Sequence, residues 1–304
     1  MKTLAVTGAA TLIDFSPLKS LLAQGQTGVS RADDLVAVMG GEPDAMLRRA
    51  IQELGGIGKY VKSGNRVVLK PNIGWDRAAD RGANTNPLLV ATMVKMCLDA
   101  GAREVQVFDH TCDDWIKTYA NSGIKKAVED AGGKMLPANT ENYYTDYSLP
   151  KGVRLKQVKI HRAIVDCDVW FNMPVLKHHG GAKMTASMKN LMGIVWDRGA
   201  FHSTDLQQSI ADMCTLAKPP ALNIVDAYRV IKDNGPQGRT AADTVTLKTL
   251  IVSPDMVAAD AASLKFFAQV RPVTEDEVSH IGKGQDLNLG TTDIDAMNVK
   301  RIRM

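Results

Sequence analysis

Apolar residues in this chain fall into short runs bounded by glycine, proline and asparagine, and the runs alternate between two spacings. Around Pro43 to Leu54, the residues Leu47, Ala50, Ile51 and Leu54 recur at helical intervals, and Gly55, Gly56 and Gly58 then end the pattern. Arg66–Lys70 (RVVLK) is β-branched and closed by Pro71, hence a strand. A polar loop from Asn72 to Asn86 leads to Asn86-Pro87, a capping residue followed by proline in the first turn of a helix that Gly101 stops. Glu104–Phe108 is the next strand, and Trp115–Ala131 the next helix, closed by Gly132-Gly133. Further strands are expected at Val169–Met173, Leu222–Val225 and Thr249–Val252, with a helix over Met256–Phe267.

Strands alternating with helices predict an α/β fold: a mostly parallel sheet covered by helices on both faces, joined by right-handed crossovers. In such a sheet ligands bind beyond the carboxyl ends of the strands. The residues just after each expected strand are therefore the informative ones. They are Lys70-Pro71-Asn72, Asp109-His110, the run PVLKHH ending at His179, Asp226, and Ser253-Pro254-Asp255. Five ends, all polar or ionisable, point to one shared ligand edge.

The richest stretch is Val175–Val195. Lys177, His178 and His179 leave a strand, Gly180-Gly181 permit close backbone approach, and Thr185 is placed to cap a helix through Ala186–Leu191. Free N–H groups at such a turn, with Lys177, Lys183, Lys189 and Asn190 nearby, suit a phosphate or carboxylate. Neighbouring residues in extended chain point to opposite sides, so one of His178 and His179 faces the site as acid–base or ligand. Asn84, Thr85 and Asn86 bring side-chain amides and a helix start to the same edge, or serve only as cap and turn. Asp260 is a further partner or a supporting residue. His202 is a second candidate ligand or a structural histidine. The stripe Met184, Met188, Met192 has core spacing.

Composition narrows the classes. The chain has 304 residues, 45% hydrophobic and 23% charged, as expected of one large α/β domain, taken as residues 31–304. The net charge of +4 is spread along the chain, which argues against a nucleic-acid partner. There is no GxxxxGK[ST] or GxGxxG loop, and no apolar stretch long enough for a spanning helix. Cys97, Cys112, Cys167 and Cys214 are widely separated, so they are read as buried or semi-buried thiols and no iron–sulfur cluster is expected. Residues 1–30 form a weakly patterned segment in which MKTLAVTGAATL is similar to the part of a twin-arginine signal after its arginine pair. That gives a periplasmic, exported protein as one expectation and a cytoplasmic one as the alternative.

Several of these segments together resemble a known family. VVLKPN, NTNP, AGAREVQVFD, DVWFNMPVLKHH with TASMKNLMG, VDA with NGPQG, and SPDMVAADAAS are similar to the DUF362 family (domain of unknown function) from Val67 to Ser263. Twin-arginine signals are common in that family, and some members carry a fused ferredoxin module whose cysteines this chain lacks. A fainter similarity, to nickel-pincer lactate racemases, rests on His179, Gly180-Gly181 and Lys183 in that order.

The functional expectation is an enzyme acting on a small anionic metabolite. Lys70, Lys177 and Lys189 would hold the anion, with Asn72 and Gly181 beside it. His178 or His179 would move a proton, and Asp109 or Asp226 would orient the histidine or bind a divalent metal. The alternatives are a non-catalytic periplasmic metal- or cofactor-binding protein, and a redox partner without a cluster of its own.

Overall fold

The computed structural model of the protein describes residues 34–304; the expected export segment lies outside the described residues. The described residues build twelve strands, β1 Leu35–Met39, β2 Arg66–Pro71, β3 Glu104–Val107, β4 Lys134–Met135, β5 Tyr144–Ser148, β6 Gln157–His161, β7 Val169–Met173, β8 Val175–His179, β9 Lys183–Thr185, β10 Leu222–Ile231, β11 Thr244–Ser253 and β12 Val299–Arg303. The helices are α1 Pro43–Glu53, α2 Pro87–Asp99, α3 Trp115–Asn121, α4 Ile124–Asp130 and α5 Arg162–Asp166. They continue with α6 Ser187–Asn190, α7 Gly199–His202, α8 Leu206–Met213, α9 Met256–Phe267 and α10 His280–Asp286.

The main sheet runs β12-β1-β11-β10-β7-β2-β3-β4, with β8 and β9 joined to β10. From β10 through β4 all pairs are parallel, while β11 is antiparallel to both β10 and β1. Both faces are covered, and the strands show it residue by residue. Val67 and Leu69 pack into one apolar cluster with α1 and α2 residues, and Val68 between them packs into the other. The same alternation holds for Leu250, Ile251 and Val252 in β11. A strand buried on both sides reads as a continuous apolar run, because its period of two is hidden when neither face is wet.

Three expectations change. The helix over Trp115–Ala131 is two short helices, broken where Gly123 adopts a left-handed φ of 76° before α4. The fifth strand runs against its neighbours, so Ser253 pairs with Asn223 at the start of β10. Asp255 consequently lies at the opposite edge, where it caps α9 through the Ala258 N–H and accepts the Thr291 N–H. Finally, the helix expected after Thr185 starts at Ser187, and its free N–H groups are already taken. Buried Asp260, from α9, accepts Ser187 N at 2.6 Å and Met188 N at 3.0 Å. That carboxylate fixes α6 against the core and removes the helix start as a ligand site.

Removing Asp260 strands two buried N–H groups, each costing about 1–3 kcal/mol. Asp260→Ala should therefore lower unfolding free energy by roughly 2–4 kcal/mol in urea titration. A change under about 0.5 kcal/mol, the level of a surface substitution, would contradict this role.

Candidate functional site

The parallel strands bring Lys70, Asp109 and Asn172 to one level: Lys70 stands opposite Asn172, and Leu69 opposite Val107, two residues before Asp109. Lys70 is fully buried, and its ammonium is surrounded by three oxygen acceptors. It lies 2.9 Å from Asp109 Oδ1 and donates to Asn190 Oδ1 at 2.8 Å and to the Asn190 carbonyl at 2.6 Å. The other Asp109 oxygen accepts the Ile73 N–H at 2.6 Å. Burial pushes the Lys70 ammonium down in pKa, and Asp109 pulls it back up. Asn190 continues the network through Asn172 Oδ1, and Asn172 reaches Asn223 on the next strand. A Cβ on Gly193 would sit 1.9 Å from Asp109 Oδ1 and 2.5 Å from Lys70 Nζ, so only glycine fits the end of KNLMG.

Above this buried pair opens a cavity of about 440 Å³, within the size range of small-metabolite pockets. Its wall includes the β8–β9 hairpin, in which Lys177 pairs with Thr185 and His179 with Lys183. Cross-strand partners share a face, and so do residues two apart on one strand. Lys177, His179 and Thr185 thus line the cavity together, while His178 points away and accepts the Gly235 N–H. Lys177 donates to Asn72 Oδ1 at 2.8 Å and to the Ala83 carbonyl, leaving one N–H free. The one hydrogen-bond partner of the Lys189 ammonium among the described residues is the Met192 sulfur, at 3.6 Å. The Thr185 hydroxyl is buried without any hydrogen-bond partner. Burial presses the Lys177 ammonium down to about 7 and that of Lys189 down to about 8.

The two lining histidines are held in opposite senses. His179 Nδ1 accepts the N–H groups of Gly181 and Ala182, so the neutral ring carries its proton on Nε2 and can only donate there. Burial, and then the charges of Lys189 and Lys177, push its pKa down to about 2. His110 Nδ1 bonds the Val195 carbonyl at 2.8 Å, which makes Nδ1 the donor and leaves Nε2 an acceptor. Its ring is stacked on Trp196 at 5.2 Å, and burial lowers its pKa. Arg198, on the same wall, donates to the carbonyls of His110 and Thr111. Cys112 lies on the rim, exposed, with its sulfur 3.2 Å from Arg198; Cys97, Cys167 and Cys214 are buried as expected.

Of the residues singled out in the sequence, Lys70, Asn72, Asp109, Lys177, His179, Thr185, Lys189 and Asn190 line this cavity, and His202 joins them. The others are placed elsewhere. Asp226 lies inside β10, where it accepts the N–H groups of Asn86 and Tyr228, and burial raises it to about 6. Asn84 braces Trp75 and Arg77, Thr85 bonds the Met173 carbonyl, and Asn86 caps α2. Lys183 and Gly181 are exposed on the hairpin, outside the cavity. Asp109 and Asp226 are thus committed to other groups, and they do not fit the divalent metal expected of them. Among the described residues no three His, Cys, Asp or Glu side chains gather as a metal-holding group. Arg198 and Asn172 carry little signal in the sequence beyond, for the second, a lone asparagine in the apolar strand VWFNM.

A family model described as "Domain of unknown function (DUF362)" matches residues 67–265, well over half of the chain. The chain belongs to DUF362. The matched DUF362 span contains every cavity residue named above and reaches into α9. A thylakoid-associated protein of Synechocystis sp. is 27% identical over 223 residues, covering 71% of this chain and 67% of that protein. Among solved structures, the lactate racemase apoprotein of Thermoanaerobacterium thermosaccharolyticum is similar with a TM-score of 0.50 at 14% identity, over 77% of this chain and 57% of that one. A Thermotoga maritima protein gives a TM-score of 0.50 at 11% identity, over 75% of this chain and 60% of its own. The chain spans less than two thirds of either solved structure, and the likeness is one of fold. No helix of the described residues is long and apolar enough to cross a membrane.

Breaking a buried ion pair from one side costs about 3–5 kcal/mol. Asp109→Asn should therefore destabilise by that amount in chemical denaturation, whereas the double replacement Lys70→Met with Asp109→Leu recovers most of the loss. Equal destabilisation by the single and the double variant would show that the pair is not the origin of the effect.

Proposed function

We propose that this DUF362 protein is an enzyme acting on a small anionic metabolite. One observation carries the reading. The cavity gathers Lys177, Lys189 and Arg198 with Thr185, and the one carboxylate among its lining residues is bound to Lys70. Buried donors without partners cost stability unless a ligand completes them. An oxyanion accepted by Lys177 Nζ and Thr185 Oγ1 supplies the missing acceptor and charge.

Around a ligand held there, His179 offers an Nε2–H as a fixed neutral donor. His110 offers Nε2 as a proton acceptor, with its tautomer set by the Val195 carbonyl. The acid–base role therefore moves from the expected His178 and His179 to His110. Lys70, Asp109 and Asn190 hold the floor rigid rather than touching the ligand, since their hydrogen-bonding capacity is largely spent.

The pH dependence follows from Lys177. Bound anion raises the lysine's pKa above its free value of about 7, so the lysine's contribution is complete below about pH 7 and is lost as pH rises through the bound-state value. Affinity for inorganic phosphate or oxalate, by calorimetry, should fall roughly tenfold per pH unit over that window. Lys177→Met should weaken binding at least about tenfold at neutral pH, consistent with a charge-assisted contact of about 1.5–3 kcal/mol. Affinity that is flat in pH and unchanged in the variant would refute an anion site at Lys177.

A further inference from the structure

The three cavity lysines are not equivalent, and the difference separates binding from chemistry. Lys70 has three acceptors and Lys177 has two. Lys189 has only a thioether, and no carboxylate among the described residues lies within ion-pair distance of it. Burial is the main influence that disfavours its ammonium, and Arg198 and Lys70 add to it; Cys112 and Asp109 act the other way, the latter already paired with Lys70. A lysine without a carboxylate partner, its ammonium disfavoured by burial, reaches the free-amine form more readily than a solvated lysine, and a free amine is a nucleophile. The buried Thr185 hydroxyl, which has no hydrogen-bond partner, lines the same cavity and is free to bond a ligand oxygen.

We propose that Lys189 forms an imine with a small 2-oxo carboxylic acid bound in this cavity. The carboxylate rests against Lys177 and Thr185, and the keto carbon faces the Lys189 nitrogen. This deepens the anionic-substrate reading and depends on it. The nitrogen adds to the carbonyl carbon, and the π electrons move to oxygen, giving a carbinolamine. Loss of that oxygen with both hydrogens of the amine then yields the C=N bond and one water, with no oxidant or reductant consumed. The Lys177 ammonium is placed to protonate the departing oxygen, and His110 Nε2 to take the proton from nitrogen. Imine formation withdraws electrons from the carbon next to the former carbonyl. The bound acid is thereby activated for proton exchange, aldol-type addition or decarboxylation, all of them within reach of the same acceptor on His110.

The test uses the full chain with pyruvate and with 2-oxoglutarate, each incubated with sodium borohydride, and read by intact mass and peptide mapping. Calorimetry with the same two acids runs in parallel. The expected result is a reduced adduct on Lys189 alone, absent in Lys189→Arg, whose folding is checked by its melting curve. Binding of either acid without any trapped adduct overturns the imine and leaves the anion site standing. An adduct mapped to another lysine also overturns the assignment. If neither acid binds and neither is trapped, 2-oxo acids are excluded, and phosphate or oxalate binding then decides whether the anion site itself survives.

Discussion

The arrangement at this edge of the sheet rests on burying the ammonium of Lys70 beside Asp109. Removing both charges from water is costly, and that cost is offset only where every donor and acceptor finds a partner. The chain meets the condition by closing β2, β3, β7 and α6 around the pair: Asn190 takes two of the lysine's N–H bonds, Ile73 satisfies the second carboxylate oxygen, and Gly193 leaves the room. Segments separated by as many as 120 residues are fixed by this one contact. The cavity above inherits its shape from that floor.

The floor also sets the electrostatics. Because Asp109 is used by Lys70, the lysines above it face the cavity with little negative charge to balance them. Burial lowers the pKa values of Lys177 and Lys189, and in the proposed reading the space between them takes an anion. The same arrangement ties the two histidines to opposite roles through their backbone partners, a donor at His179 and an acceptor at His110. In the proposed reading, binding and proton transfer follow from which hydrogen bonds the fold has already used.

Much of the scaffold was legible in the residues because strands and helices differ in the period of their apolar positions. Val169–Met173 and Met256–Phe267 are found where the pattern puts them. What escaped has physical reasons. β8 reads as a loop because three of its five residues are Lys177, His178 and His179, and polarity at a site masks a strand. β12 (VKRIR) is an edge strand in which Lys300, Arg301 and Arg303 are all exposed, and β11 carries no sign of its direction in its sequence. Antiparallel pairing of β11 took Asp255 away from the site, a fact only three-dimensional connectivity decides. Asp226 looked like a strand-end carboxylate until β10 proved to run on to Ile231. The lysines of VLKHH and KNLMG were visible as a cluster, whereas which of them kept a free donor depended on carbonyls from Ala83 and Asn190.

The most direct measurement is titration of the lysine side chains in the ligand-free protein, followed by NMR of their terminal carbon and nitrogen signals. The account predicts two lysines, abolished respectively by Lys177→Met and Lys189→Met, that lose their protons near pH 7 and 8, well before the surface lysines. If every lysine titrates together near the ordinary value of about 10.4, the cations are solvated and no electropositive cavity exists.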